Sequence, residues 1–140
     1  MNKERLKKLI YDLEITNNDI EISLKLLKNN IDNGDLKSEF SNSLKYKYLS
    51  LFIIYEDFIS MLLKEYNLYE IGLSVDKAIK KLRERNILND NQEVYLNSAR
   101  LIRNKIGHRY KQPSIESIID FLEENGEAQE SIHNYIKSFI

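Results

Sequence analysis

FSNSLKYKYLSLFIIYEDFISMLLKEY, residues 40–66, is the stretch whose reading decides the fold. Along it, large apolar side chains recur at Phe40, Leu44, Tyr48, Leu51, Tyr55, Phe58, Leu62 and Tyr66. Steps of three and four are the α-helical period, so these residues share one stripe that must be buried against another element. Alternation with period two, the mark of a half-buried strand, appears neither here nor elsewhere in the chain. The segment predicts a long amphipathic helix in an all-α protein.

The same period extends in both directions. Upstream, Leu6, Ile10, Leu13, Ile20, Leu24, Leu27 and Ile31 form a stripe interrupted at Thr16 and Asn17; it is about seven turns long. Asn33-Gly34-Asp35 separates the two long helices. Downstream, Ser74 is a good N-cap for a shorter helix that turns Val75, Ala78, Ile79 and Leu82 inward. A fourth helix is expected from near Asp90 to about Tyr110. Pro113 and Ser114 open a fifth with Ile115, Ile118, Ile119 and Leu122, closed near Gly126, and a last helix holds Ala128, Ile132, Tyr135, Ile136 and Phe139. Two long N-terminal helices, three to four shorter ones and short loops describe an antiparallel helical bundle. At 140 residues the chain fits a single domain, 1–140; such a domain buries roughly two-thirds of the surface its unfolded chain exposes.

Hydrophobic residues at 42% and charged residues at 31% are ordinary for a globular protein rather than a disordered one. The absence of cysteine excludes disulfides and thiolate metal sites. The opening MNKERLKKLI is charged without a following apolar run, so no signal peptide is expected. The longest strongly apolar stretch, Leu51 to Tyr55, is too short to cross a bilayer. No membrane partner is therefore expected, and the cytoplasm is the default location.

A net charge of -1 argues against a protein that coats nucleic acid along its whole surface. The charge is unevenly placed, however. Arg100, Arg103, Lys105, Arg109 and Lys111 are followed, from Gln112 to Ile136, by six acidic residues and no Lys or Arg. A local basic patch of this kind can hold a phosphate backbone; equally, it can be a solvated face balanced by the next helix.

The fourth helix departs from the simple pattern. Tyr95, Ala99, Ile102 and Ile106 make its core side, while Val94, Asn97, Leu101, Asn104 and His108 make a stripe of mixed polarity opposite. Such a mixture suits a cleft or a subunit contact. Gly107, read as lying inside the helix, either opens a notch beside His108 or permits close packing. Arg103 and His108 are separated by about 140° on an ideal helix. Either Arg103 leans across the Gly107 gap, or a two-fold dimer brings both protomers' residues into one groove. Few parts suffice for metal-free RNA cleavage. A histidine moves the proton of the ribose 2'-hydroxyl, an arginine grips the phosphate, and a neutral amide orients one of them. Arg103, Asn104 and His108 supply that set.

The full run, Arg103-Asn104-Lys105-Ile106-Gly107-His108-Arg109-Tyr110, resembles the HEPN superfamily signature of Arg, a polar residue, three to five others, then His. With Tyr110 two residues past His108 it looks like the Arg-x4-His-x-Tyr motif of the HepT toxins. These eight residues carry the specific match; helix order and chain length agree less selectively. The resemblance implies a HEPN-like bundle and a homodimeric endoribonuclease toxin that needs no metal or other cofactor. Its partner would be a minimal nucleotidyltransferase antitoxin of the MntA type. It implies Arg103 and His108 as catalytic residues, Asn104 as their polar companion, and Tyr110 as the acceptor of AMP from the antitoxin. A phosphate-bearing group there would set negative charge and bulk where RNA binds. Arg100, Lys105, Arg109 and Lys111 would contact the RNA, either tRNA or mRNA, and attack by the 2'-hydroxyl would leave a 2',3'-cyclic phosphate.

Two other readings belong to different classes. The chain could be a non-catalytic helical binding or substrate subunit of a small nucleotidyltransferase, which would be harmless when expressed alone. It could also bind RNA without turnover, in which case salt-sensitive binding would survive loss of His108. Glu130-x-x-His133 has the spacing of half a di-iron site but lacks a second pair, so His133 is expected at the surface or in helix packing. The nine tyrosines are expected mostly in the core or at an interface. No glycine-rich phosphate loop is present, so ATP would belong to the partner.

Overall fold

Six helices make up the computed structural model, which describes all 140 residues. They are α1 (Lys3–Asn29), α2 (Gly34–Glu65), α3 (Val75–Glu84), α4 (Asp90–Gly107), α5 (Ile115–Glu124) and α6 (Gly126–Lys137). Two long antiparallel helices followed by four shorter ones is the architecture the periodicity predicted. α1 runs unbroken through the polar interruption of its stripe at Thr16 and Asn17. Asn17 accepts a hydrogen bond from Gln129 of α6 at 2.6 Å, so the polar gap in the stripe is a link between helices. Ile31 falls beyond the end of α1 and is exposed.

The helix ends follow local chemistry. Asn2, Asn33, Asn89 and Ser114 each accept a hydrogen bond from a backbone N–H of the first turn, satisfying donors that have no partner inside the helix. At α4 the cap is reciprocal, because Gln92 returns a bond to the Asn89 N–H at 2.9 Å. After α2 and α3 the chain turns through Asn67 and Asn86 at φ 57° and 59°, a conformation asparagine tolerates better than most residues. Leu68 and Ile87 then bond back to the carbonyls of Leu63 and Leu82.

α1 and α2 form the long hairpin; α4 packs on α2, α6 packs on α4, and α6 also touches α1. α3 bridges α2 and α4. The core is centred on α2, where Leu44, Tyr48, Leu51, Phe52, Tyr55 and Leu62 are almost inaccessible to solvent. Burial of side chains this size contributes about 2–3 kcal/mol each. Their hydroxyls are all partnered. Tyr48 donates to the Ala99 carbonyl of α4 at 2.7 Å, and Tyr55 bonds both Tyr95 of α4 and His133 of α6 at 2.8 Å. Phe121 of α5 stacks on Tyr95 and meets Tyr48 edge-on. These bonds set the height of α4 against α2, and thereby the position of the residues at its end.

The tyrosines divide between core and surface. Tyr48, Tyr55 and Tyr95 are buried and Tyr135 is half-buried, whereas Tyr11, Tyr46, Tyr66, Tyr69 and Tyr110 are exposed. Tyr46 shows the reason: it is two positions from Tyr48, which on a helix is the opposite side. No helix is long and apolar enough to cross a membrane.

Candidate functional site

α4 ends at Gly107, three residues before the expected boundary, and His108 is already extended at φ -83°, ψ 98°. Two local causes act together. Glycine is a poor helix former, and the Gln112 side chain captures the carbonyls of Ile106 and His108 at 2.7 and 2.9 Å. Residues 108–111 form a turn closed by the Lys111 N–H on the His108 carbonyl at 3.2 Å. Tyr110, which a continued helix would have directed toward the core side, is 88% exposed. A methyl group at Gly107 would meet nothing within 4 Å, so close packing does not explain that glycine.

Arg103 does not lean across Gly107. Its guanidinium lies over the Phe52 ring, 4.8 Å from the centroid. Nη1 donates to Glu56 Oε1 at 2.7 Å, and Nε donates to Asn104 Oδ1 at 3.0 Å. The ring below and the carboxylate beside it hold the charged plane in one place. Both members of the ion pair keep about a third of their side-chain surface in solvent, and an exposed pair of this type is worth about 0–1 kcal/mol. A phosphate can therefore compete for Arg103 at little cost. Asn104, bonded to Arg103, is exposed, and so is His108 just past the end of the helix.

Lys105, Arg109 and Lys111 are exposed around the turn, with the Arg109 guanidinium 5.7 Å from the Tyr110 ring centroid. Arg100 differs from them. It is half-buried, its Nε has no hydrogen-bond partner, and it is close enough to α3 to help lower the pKa of Asp76, after the larger effect of the Ser74 hydroxyl. Lys45 of α2 joins the basic rim through a 3.2 Å bond to Gln112.

Phe52, Glu56 and Gln112 were not found from the sequence. A faint signal existed for Glu56, an acidic residue four positions after the core residue Phe52. Gln112 carried none beyond its place before Pro113.

The largest cleft, about 570 Å³, lies elsewhere, between α1, α5 and α6, and is lined by Asn17, Glu21, Gln129, Glu130 and His133 among others. The Arg103 region is an open surface, which suits a polymer passing over it better than an enclosed small molecule. His133 is buried in helix packing, with Nε2 bonded to Tyr55. No group of three or more His, Cys, Asp or Glu side chains is placed to hold a metal ion. Comparison of the chain with known protein families, characterised proteins and solved structures returned no match.

Proposed function

We propose that this chain is a metal-independent endoribonuclease of the HEPN type, related to the HepT toxins. The observation that carries the reading is the end of α4. Arg103 is held on an open basic surface, and the helix stops in time to leave His108 and Tyr110 in an exposed turn. In the proposed reaction His108 takes the proton of a ribose 2'-hydroxyl and that oxygen attacks the adjacent phosphorus. The bond to the 5'-oxygen breaks and this oxygen takes up a proton. The products are a 2',3'-cyclic phosphate and a 5'-hydroxyl. Arg103 stabilises the charge that builds on the phosphoryl oxygens, and Asn104 steadies the guanidinium. Cleavage of RNA in EDTA by the purified protein tests this directly.

The reaction needs one proton accepted and one delivered, and each chain offers one exposed imidazole here, since His133 is buried. A homodimer would supply two. Leu101 on α4 and Tyr46 and Ile53 on α2 are each more than half exposed, apolar side chains of the kind a partner would cover. Sedimentation velocity should show a wild-type dimer that Ile53→Glu with Leu101→Glu converts to monomer. A wild-type monomer at tens of micromolar would sink the dimer.

The exposed Tyr110 supports a second part of the reading, inactivation by AMP transfer from a nucleotidyltransferase antitoxin. The phenol oxygen would attack the α-phosphorus of ATP, pyrophosphate would leave, and the phenolic proton would pass to a base on the transferase. Intact-mass spectrometry after incubation with ATP and the cognate transferase should show one AMP per chain on the wild type and none on Tyr110→Phe. Equal labelling of both would remove Tyr110 from the proposal without touching the ribonuclease.

A further inference from the structure

Beyond Gly107 the last carbonyls of α4 have no amide ahead of them in the helix, the ordinary condition of a helix C-terminus. Gln112 meets one of them, together with the carbonyl of the cap residue His108. Gln112 Nε2 donates to Ile106 O at 2.7 Å and to His108 O at 2.9 Å, while its Oε1 accepts from Lys45 Nζ at 3.2 Å. The partners leave no ambiguity about which way the amide points, because carbonyls only accept and an ammonium only donates. The His108 carbonyl is held a second time by the Lys111 N–H. One side chain thus spans the end of α4, the turn that follows it, and α2.

We infer that Gln112 is the positioning residue of this site, setting where the His108 imidazole and the Tyr110 phenol stand relative to Arg103. Its catalytic consequence rests on the ribonuclease reading. The argument is one of common reference. Arg103 takes its position from α2, through Glu56 and Phe52. His108 is exposed and lies outside the helix, so its place comes from its own backbone. That backbone is tied by Gln112 to Lys45, which is also on α2. Both reacting groups are therefore registered to the same rigid helix, although one sits on α4 and the other on a loop. Reaction geometry tolerates little error, and a misplacement of about 1 Å can cost on the order of a hundredfold in rate.

Gln112→Glu tests the clamp. The carboxylate has nearly the same shape and keeps an acceptor for Lys45, but at neutral pH it cannot donate to either carbonyl. The expected result is a fall in kcat of about ten- to a hundredfold with KM nearly unchanged. The melting temperature should stay near wild type, because Gln112 is exposed. Backbone order parameters of residues 109–111 should drop from about 0.85 toward 0.6 or below. Lys45→Met, which removes only the tie to α2, should give a smaller change of the same kind and serves if Gln112→Glu fails to fold. Wild-type kcat in Gln112→Glu overturns the inference, and so does a lost rate with an unchanged rigid turn. If the wild type does not cleave RNA, the ribonuclease reading falls separately. The order parameters then decide the clamp: a mobile turn upholds it as the device that presents Tyr110, and a rigid one overturns it.

Discussion

His108→Ala and Arg103→Ala are each expected to lower RNA cleavage in EDTA by about 10²–10⁴-fold while leaving the fold intact. In the proposed mechanism the first removes the group that moves the proton, the second the charge that meets the developing negative phosphorane. Because the two act on one transition state, the double variant should be little worse than the poorer single one. The structural cost of both changes is small. His108 lies exposed outside α4, and the Arg103–Glu56 pair is partly solvated, so melting temperatures should move by no more than about 2 °C. Arg103→Lys is the finer probe. It keeps the charge but loses the planar fork that meets Glu56 and Asn104 together, and it should recover only part of the rate. If both alanine variants cut as fast as wild type, or cutting strictly requires Mg2+, this site does not do the chemistry proposed for it.

The second large effect concerns stability. Burial, and to a lesser degree the charge of Lys137, pushes the His133 imidazole down to about 4 from its ordinary 6.5. Below pH 6.5 the unfolded chain gains a proton at this position that the folded chain refuses. The contribution of His133 is thus fully present above pH 6.5 and is lost as pH falls toward 4. The loss amounts to about 3 kcal/mol, a large part of the 5–15 kcal/mol typical of a domain. Tyr55 and Tyr95, which share the hydrogen-bonded chain, have pKa values raised chiefly by burial and stay neutral throughout. Glu70, Asp76 and Glu116, lowered mainly by bonds from Lys81, the Ser74 hydroxyl and the Glu116 backbone respectively, start from 4.5 or below. Their losses begin under that value, so the range from pH 6.5 to 5 reports His133. Urea unfolding across this range should show a steep loss in wild type and a much flatter profile in His133→Gln, whose amide can still bond Tyr55. Equal slopes would exclude His133 as the cause.

Much of this protein was legible in one dimension. Apolar residues at Leu44, Tyr48, Leu51, Tyr55, Phe58 and Leu62 specify the buried face of α2 because helical geometry relates residues only three and four apart. The same locality makes Ser114 an N-cap and turns Ala78, Ile79 and Leu82 inward on α3. It also makes the Arg103 to Tyr110 motif visible without coordinates. Where local signals conflict, the reading slipped. The helical pattern ran on toward Tyr110, against a glycine at 107, and a glutamine side chain farther on resolved the conflict at Gly107.

Only the tertiary structure decided the surroundings of the motif. Glu56 and Phe52 reach Arg103 because α2 packs on α4, and Lys45 reaches Gln112 across 67 positions of chain. No periodicity encodes such pairs, since each depends on the height and rotation at which two helices meet. Here those are set by buried hydroxyls, Tyr48 on Ala99 and Tyr55 between Tyr95 and His133. The sequence by itself determined the helices and the residues offered for chemistry. Packing determined which of them are held in place, which face solvent, and that His133 belongs to the core.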